Sequence, residues 1–378
     1  MRRPDSWTGG RAAGTAVVLA AVVLSASPLD RLSAQDSQFG IRGLGTPGRW
    51  ESVRSRSTGG AFGPFDPLSP LTDAPLADIG QLTATAAGGT SNRDATIVGT
   101  TTRLRATRFP VMGVAGPVGP RVAVAAGFTT YLDKSWDVTL RDSLLLRGTL
   151  QRYTDEVVSD GSVADVRFAV AARLSRRIAI GAGVHVLAGS TRETAERRFD
   201  DSTFHTVQQS ADVRYDGLGV SGSVLLGIAP GLSIVAWARS DNRLRAQVAD
   251  TTSDVTDLPL MAGGGLLFAP SPSARFAASA AWRSWSKAGA GAFDTWNWSA
   301  GAEFGSRRMP IRFGARGGQF PFGPGTKAPT EAAASVGTGR AFAQGRAVID
   351  LGLERLERRS AGLTERVWTM LVGITVRP

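Results

Sequence analysis

Apolar residues alternate with polar or small ones in many separate stretches of this chain, and each stretch is about ten residues long. Residues 163–174 read VADVRFAVAARL, which places Phe168 and Val170 on one face of a strand and Asp165 and Arg167 on the other. Strands in soluble sheets are usually five or six residues long, whereas about ten residues are needed to cross a bilayer. The pattern therefore predicts membrane-spanning β-strands with one apolar face.

The alternation recurs along most of the chain, and in 121–132 it places Val122, Val124, Phe128 and Leu132 on the apolar face. Further segments of this kind lie at 178–187, 217–228, 275–285, 296–304, 311–319, 347–354 and 366–377. With the weaker segments, the pattern predicts about 14 strands. Aromatic residues lie near both ends of the apolar faces: Trp282, Trp296, Trp298 and Trp368 at one end, and Phe268, Phe276 and Phe304 at the other.

The connections between these segments alternate in length. Short turns are expected at 116–120, 175–177, 229–231, 270–273 and 306–308, and long polar connections at 91–103, 133–161, 191–215 and 244–257. This alternation is typical of outer-membrane barrels, in which periplasmic turns are short and external loops are long. The fold class is therefore predicted as all-β, an antiparallel up-and-down transmembrane β-barrel of 81–378, with its apolar face against outer-membrane lipid.

The first residues predict export. Arg2 and Arg3 precede an apolar stretch at 15–24, and small residues follow, so 1–34 is interpreted as a signal peptide cleaved after Ala34 or, alternatively, after Ala26. Cysteine is absent, which excludes disulfides and thiolate sites and agrees with export through an oxidising compartment. The predicted location is the bacterial outer membrane, reached with the help of the barrel-assembly machinery.

Candidate chemistry is sparse. The chain has only 2 histidines, His185 on an inward strand face and His205 in a predicted external loop, and neither has a second histidine at metal-binding spacing. A barrel lipase or protease would need a Ser-His-acid group, which separate strands could supply without any local motif. We expect no enzyme activity, no cofactor, no metal and no nucleic-acid partner, and we interpret His185 as a hydrogen-bonding residue of the lumen.

The inward faces carry charge. The candidate ligand-binding residues are Arg167, Arg173, His185, Trp237, Arg239, Arg283, Trp285, Arg312 and Arg316. Two interpretations are open. In the first, these arginines neutralise the inward Asp165, Glu303, Asp350 and Glu354. In the second, an excess of arginine attracts an anionic solute, or the carboxylate of an amphipathic one whose tail contacts the inward tryptophans. The formal net charge of +11 fits either.

Residues 57–81, STGGAFGPFDPLSPLTDAPLADIGQ, resemble the N-terminal region of the FadL-like family of long-chain fatty acid transporters and of related type IX secretion barrel subunits. The matching residues are Gly59, Gly60, Ala61, Phe62, Asp66 and Pro67. An Asn-Pro-Ala element of that family is replaced here by Asp73-Ala74-Pro75, and the chain ends in Arg377-Pro378 where many such barrels end in an aromatic residue. The resemblance implies that 35–80 forms a plug within a fourteen-stranded barrel.

Two functions follow from these expectations. The first is passive uptake of a hydrophobic or anionic amphipathic small molecule through a plugged barrel. The alternative is a structural or secretion-associated barrel that binds a protein partner. A short helix at 73–81 is also expected within the plug, with Asp73 as its cap and with Leu76 and Ile79 on one face.

Overall fold

The computed structural model describes residues 37, 39–97, 100–146, 148–249, 251–289, 291–306 and 308–378. Fourteen antiparallel strands form one sheet. They are β1 (Thr83–Ile97), β2 (Thr100–Pro117), β3 (Val122–Asp133 and Trp136–Leu146), β4 (Thr149–Arg173), β5 (Ile178–Phe199), β6 (Val207–Ala229), β7 (Leu232–Val248), β8 (Thr251–Asp257 and Leu260–Ser271), β9 (Ala274–Arg283), β10 (Thr295–Ser306), β11 (Met309–Gln319), β12 (Thr330–Phe342), β13 (Ala347–Ser360) and β14 (Leu363–Val376). The predicted signal peptide lies outside the described residues.

The sheet closes on itself. Each strand pairs with the next along the chain, and β14 pairs with β1 from Leu363 opposite Ile97 to Val376 opposite Ala84. Closure leaves the ring with no terminal strand, so backbone hydrogen-bonding groups in hydrocarbon can be paired within the sheet. The predicted all-β fold and the count of about 14 strands are confirmed.

The two faces of the strands differ as the sequence predicts. Most apolar residues whose side chains point away from the lumen are exposed; examples are Phe168, Val184, Ile311 and Met370. Phe268, Phe276, Phe304 and Phe313 form a chain of ring contacts near the short-turn end of that face, with centroids 6.5, 5.4 and 5.6 Å apart. An outer apolar face with aromatic residues near its ends is what a lipid-facing barrel presents.

All four of the long polar connections predicted above are largely strands rather than loops, and in 244–257 the residues Thr251–Asp257 pair with the end of β7. Within 133–161, Trp136–Leu146 pairs with the first half of β4, and 191–215 forms the outer ends of β5 and β6. Most of 91–103 likewise belongs to β1 and β2. The apolar alternation ends where the strands leave the membrane, but pairing continues through cross-strand ion pairs such as Arg197 with Asp155. The sequence pattern therefore located the membrane-facing part and not the ends of the hairpins.

Leu132 faces inward, so the prediction that it faces lipid is wrong. The register between β3 and β4 shifts between Thr130 and Leu132, which leaves Tyr131 as an extra residue in β3. After this bulge the parity of β3 is reversed, and both Tyr131 and Leu132 are buried inside the barrel.

The wall is irregular beside this bulge. β2 pairs with β3 only over Val111–Pro117, while its earlier residues pair with β1 alone. Beyond that point the edge of β3 pairs with a two-residue strand, Thr46–Pro47, at Asp133 and Leu132. Residues that precede the barrel in sequence thus complete part of the ladder where β2 turns away.

Helices are few and short in the described part of the chain. They are α1 (Val53–Arg56) and the 3₁₀ helices Gly40–Arg42, Gly63–Phe65, Ala74–Asp78, Trp285–Ala288 and Ala343–Gly345. None of the helices that the structure describes has the length and apolar character required to cross a bilayer. The predicted helix at 73–81 is therefore a 3₁₀ helix of five residues.

We expect a charge on the outer face of β5 to destabilise the barrel. Val184 is 51% exposed in the middle of the apolar alternation, and an arginine at such a depth costs about 2–4 kcal/mol. Val255 is 46% exposed but lies on the outer extension of β8, so Val255→Arg is the matched control. Urea unfolding in lipid vesicles should show a loss of stability for Val184→Arg only. Equal losses for both variants would contradict the placement of the membrane.

Candidate functional site

The residues before β1, which we call the N-terminal segment (39–82), lie inside the ring of strands. Its α1 contacts β12, β13 and β14, and its 3₁₀ helix Ala74–Asp78 contacts β3 to β6 on the opposite side. The backbone of Thr58 lies so close to Gly301 and Gly314 that a side chain at either glycine would overlap it. The small residues on the inner face of the wall therefore make room for the segment.

The predicted plug residues form the turn after α1. Gly59 and Gly60 adopt positive φ angles of 70° and 94°, which favour glycine. Ala61 and Phe62 are buried and pack against Ala277 of β9. This stretch is therefore both the bend of the segment and one of its apolar contacts with the wall.

Asp66 holds the next turn together. Its carboxylate accepts hydrogen bonds from the Ser52 hydroxyl and from the backbone N–H of Leu68 at 3.1 Å. Pro67 follows at the start of that turn and is partly buried. The side chain of Asp66 is nearly buried, so its hydrogen bonds organise the segment internally and do not reach the wall.

Asp73 joins the segment to the wall. Arg167 of β4 donates from Nε to Asp73 Oδ1 at 2.9 Å and from Nη2 to the carbonyl of Thr72 at 3.0 Å. A second ion pair joins Arg173 to Asp78. The prediction that Asp73 caps the following helix is wrong, since its side chain makes no capping hydrogen bond and is taken up by Arg167.

His185 completes a Ser-His-Asp arrangement on three adjacent strands. Its Nδ1 lies 2.9 Å from Asp165 Oδ2, and its Nε2 lies 2.9 Å from Ser221 Oγ. The Ser221 hydroxyl has one proton and donates it to Asp73 Oδ2 at 2.7 Å, so this proton is not directed at His185. This serine is not activated as a nucleophile. The three residues hold the N-terminal segment instead.

Arg239 links the same group to the aromatic interior. It donates to Asp165 and, from Nε, to Asp241 at 2.8 and 2.9 Å. Its guanidinium also lies 4.7 Å from the ring centroid of Trp50, and Trp50 is stacked on Tyr131 with centroids 5.7 Å apart. The N-terminal segment is thus fixed here by a cation–π contact as well as by charge.

Two further ion-pair clusters lie on the opposite side of the barrel. In the first, Glu303 of β10 accepts hydrogen bonds from Arg54 of the segment at 3.0 Å and from Arg312 at 2.7 Å. Arg312 also donates a hydrogen bond to Asp350. In the second, Glu354 is the centre: it accepts from Arg49 at 3.2 Å, Arg56 at 3.1 Å and Arg316 at 3.5 Å, and Arg316 also pairs with Glu331.

These contacts favour the first of the two interpretations for most of the inward arginines. Arg167, Arg239, Arg312 and Arg316 all pair with carboxylates. Sequence reasoning missed that the segment takes part in these networks. It supplies Asp73 to Arg167 and Asp78 to Arg173, and its Arg54 and Arg56 pair with Glu303 and Glu354 of the wall. The charged run at 49–56 was the available signal, because charges within a segment expected in the lumen need partners there.

Glu51 illustrates how strongly these charges are coupled. Burial by itself would raise the pKa of its carboxyl, but the adjacent Arg49 guanidinium, 3.0 Å away, lowers the pKa to about 2. Glu51 is therefore ionised at any physiological pH and keeps Arg49 in place.

An apolar cluster lies inside the barrel toward the end that carries the long hairpins. Its members come from the N-terminal segment, from the inner faces of the strands and from the connection after β11; they include Phe39, Trp50, Tyr131, Leu132, Leu187, Trp237, Met261, Trp285, Phe320 and Phe322. The interior of a water-filled porin is polar. An interior with this much aromatic surface suits hydrophobic rather than hydrophilic molecules.

A cavity of about 120 Å³ borders this cluster between Arg49–Glu51 of the segment and strands β9 to β11. Arg283, Trp285, Thr295 and Trp237 contribute to its lining. Arg283 Nε, Trp285 Nε1 and Thr295 Oγ1 are buried atoms without a hydrogen-bond partner. Thr295 stands directly opposite Arg283 in the pairing of β9 with β10. Three buried polar atoms without hydrogen-bond partners therefore lie beside aromatic rings in the same cavity.

Metal binding has no evident location. In the portion of the chain that the structure covers, no three His, Asp or Glu residues are grouped as a metal ion would require.

Solved structures with the same fold were found for this chain. A FadL homologue from Pseudomonas aeruginosa has a TM-score of 0.64 and 13% identity, over 88% of this chain and 99% of that one. The Pseudomonas putida toluene transporter TodX has a TM-score of 0.57 and 12% identity (90% and 99%), and the monoaromatic hydrocarbon channel CymD 0.56 and 13% (89% and 98%). No protein-family profile and no curated protein matches the chain.

These similarities cover the barrel and the N-terminal segment alike, because they extend over most of each chain. The resemblance drawn from 57–81 is therefore confirmed for the fold: the chain has the architecture of FadL-type outer-membrane channels. At 12–13% identity the similarity concerns architecture, and the identity of any ligand must be argued from this chain's own residues.

Proposed function

We propose that this protein is an outer-membrane channel for passive uptake of hydrophobic or amphipathic small molecules, and not an enzyme. The observation that carries the proposal is the apolar cluster inside the barrel, which a channel for hydrophilic solutes would not need. Proteins with the same fold include a toluene transporter and a monoaromatic hydrocarbon channel, and both support the same class of ligand.

The N-terminal segment acts as the plug in this proposal. Side-chain ion pairs, hydrogen bonds and apolar contacts hold it, but only a two-residue stretch pairs with the wall as a strand, so it can shift without breaking the wall. Closed strand pairing keeps the barrel intact independently of the segment. Hydrophobic ligands pass along the aromatic interior once the segment moves.

Export and location are part of the proposal. Residues 1–34 serve as the signal peptide, and the mature protein resides in the outer membrane. Cell fractionation combined with gel migration before and after heating tests this, because folded barrels resist dodecyl sulfate until they are heated. A protein found in the cytosol, or one without a heat-dependent shift, would contradict the location.

Uptake itself is tested in proteoliposomes. We expect vesicles with a lipopolysaccharide outer leaflet and the purified protein to take up a radiolabelled monoaromatic hydrocarbon such as toluene faster than protein-free vesicles of the same composition, without leaking sucrose. The control is the heat-unfolded protein reconstituted in the same lipid. No acceleration by the folded barrel, together with a protein that co-purifies in detergent, would instead support the alternative of a barrel that binds a protein partner.

A further inference from the structure

Arg283 differs from every other inward arginine discussed above. Across the described residues no carboxylate lies within ion-pair distance of its guanidinium, and its buried Nε has no hydrogen-bond partner, whereas Arg239 on β7 and Arg316 on β11 each have two carboxylates within reach. Glu51, which borders the same cavity, acts on Arg283 only from farther away. Its contact is with the ring of Trp50, 5.4 Å from guanidinium to centroid. A buried guanidinium without a directly hydrogen-bonded anion is costly, so this position favours the binding of one.

Two other groups beside Arg283 lack partners. Trp285 Nε1 and Thr295 Oγ1 are buried, with 2% and 1% of their residues exposed, and each lines the same cavity. Indole N–H is a donor only, and a hydroxyl can donate. Three donors without acceptors, one of them cationic, fit a carboxylate, whose two oxygens accept several hydrogen bonds.

The rest of the cavity is small, and aromatic rings line it together with the charged residues Arg49, Glu51, Arg316, Glu331 and Arg358. Trp50, Trp237 and Phe320 supply ring surface to it. Its volume of about 120 Å³ is close to that of an engineered apolar cavity of about 150 Å³ that binds benzene, so it holds about one six-membered ring. An extended long-chain fatty acid does not fit within it.

We propose that this cavity is a binding site for a single-ring aromatic carboxylate of the benzoate type. The carboxylate pairs with Arg283 and accepts hydrogen bonds from Trp285 and Thr295, and the ring occupies the space bordered by Trp50 and Trp237. This inference rests on the proposed function and narrows it: the channel contains a binding site that selects a ligand with an anionic group attached to one ring.

The test is equilibrium dialysis of radiolabelled benzoate against the full-length protein in detergent. We expect saturable binding at one site per chain. Acetate, which lacks the ring, and benzyl alcohol, which lacks the charge, should each compete at least about tenfold more weakly, because each forfeits one half of the recognition. Equal competition by acetate or by chloride would overturn the proposal, since the cavity would then select charge alone.

Arg283→Met should weaken benzoate binding at least about tenfold, and Thr295→Val by a smaller factor. Arg340→Met is the matched control, because Arg340 is exposed on the outer face and its loss changes the net charge equally. Arg283→Met breaks no ion pair, so its thermal unfolding should match or exceed that of the wild type in the absence of benzoate. Unchanged binding, or binding lost only along with the folded barrel, would refute the assignment.

The outcome for the proposed function is read separately. If wild-type vesicles take up toluene but the protein does not bind benzoate, the aromatic-carboxylate site is refuted and the proposed channel function stands. If benzoate binds at Arg283 but the barrel accelerates no uptake, the binding site stands and the proposed channel function is refuted.

Discussion

Deleting 39–82 should convert a closed barrel into an open pore. The barrel wall is paired through all fourteen strands and closes between β14 and β1, and the segment adds only the two-residue pairing of Thr46–Pro47 with β3, so the barrel should still fold. The inward carboxylates Glu303 and Glu354 would lose segment partners but gain water, which makes their charge tolerable. Sucrose efflux from proteoliposomes should rise at least about tenfold, as for barrels with aqueous lumens.

The control for this deletion is gel migration before and after heating, which shows whether the barrel has formed. A folded deletion variant with background efflux would mean that the wall side chains close the lumen by themselves. The apolar cluster would then have collapsed over the opening, and the segment would not be the plug. The wild type is expected to show toluene uptake without sucrose efflux.

Arg167→Met should release one end of the N-terminal segment. It removes the guanidinium that pairs with Asp73 and leaves that carboxylate buried, with 1% of its side chain exposed. Breaking a buried pair in this way costs about 3–5 kcal/mol. Because the loss concerns contacts of 66–82 and not the strand ladder, amide hydrogen exchange there should accelerate strongly, while exchange in the strands stays slow.

Two variants frame this result. Arg192→Met removes a pair with Asp212 whose side chains are 70% and 64% exposed, so it should leave exchange unchanged. The double variant Asp73→Asn, Arg167→Met removes both charges and should recover part of the protection. Similar exchange in Arg167→Met and Arg192→Met would show that the segment is held by packing and not by this ion pair.

The strand parity was legible in the sequence because neighbouring side chains on a strand point to opposite faces. Phe168 and Arg167 could be sorted without any knowledge of what lies across the sheet. The same local rule failed at Leu132, where the bulge at Tyr131 reverses the faces. A bulge depends on the register with the partner strand, and that register has no local signature in the chain.

The site was recognisable only in part. The inward arginines were identified by parity, but parity cannot separate Arg283, with no carboxylate of the described residues in ion-pair distance, from Arg316, which has two. That distinction depends on where the segment lies, because Arg49 and Glu51 enter the lumen from residues far away in sequence. Likewise, the contact between Asp73 and Arg167 joins positions separated by 94 residues.

By itself, the sequence determined that this chain forms an antiparallel barrel in a membrane, with an apolar outer face and a charged inner one. Alternation is a property of each strand, and hydrocarbon admits only a closed sheet. Which inward charges are paired, and where a cavity with donors lacking acceptors remains, was decided by the tertiary structure alone. Those features arise from the packing of 39–82 against the inner wall, and such packing is set by contacts between distant residues.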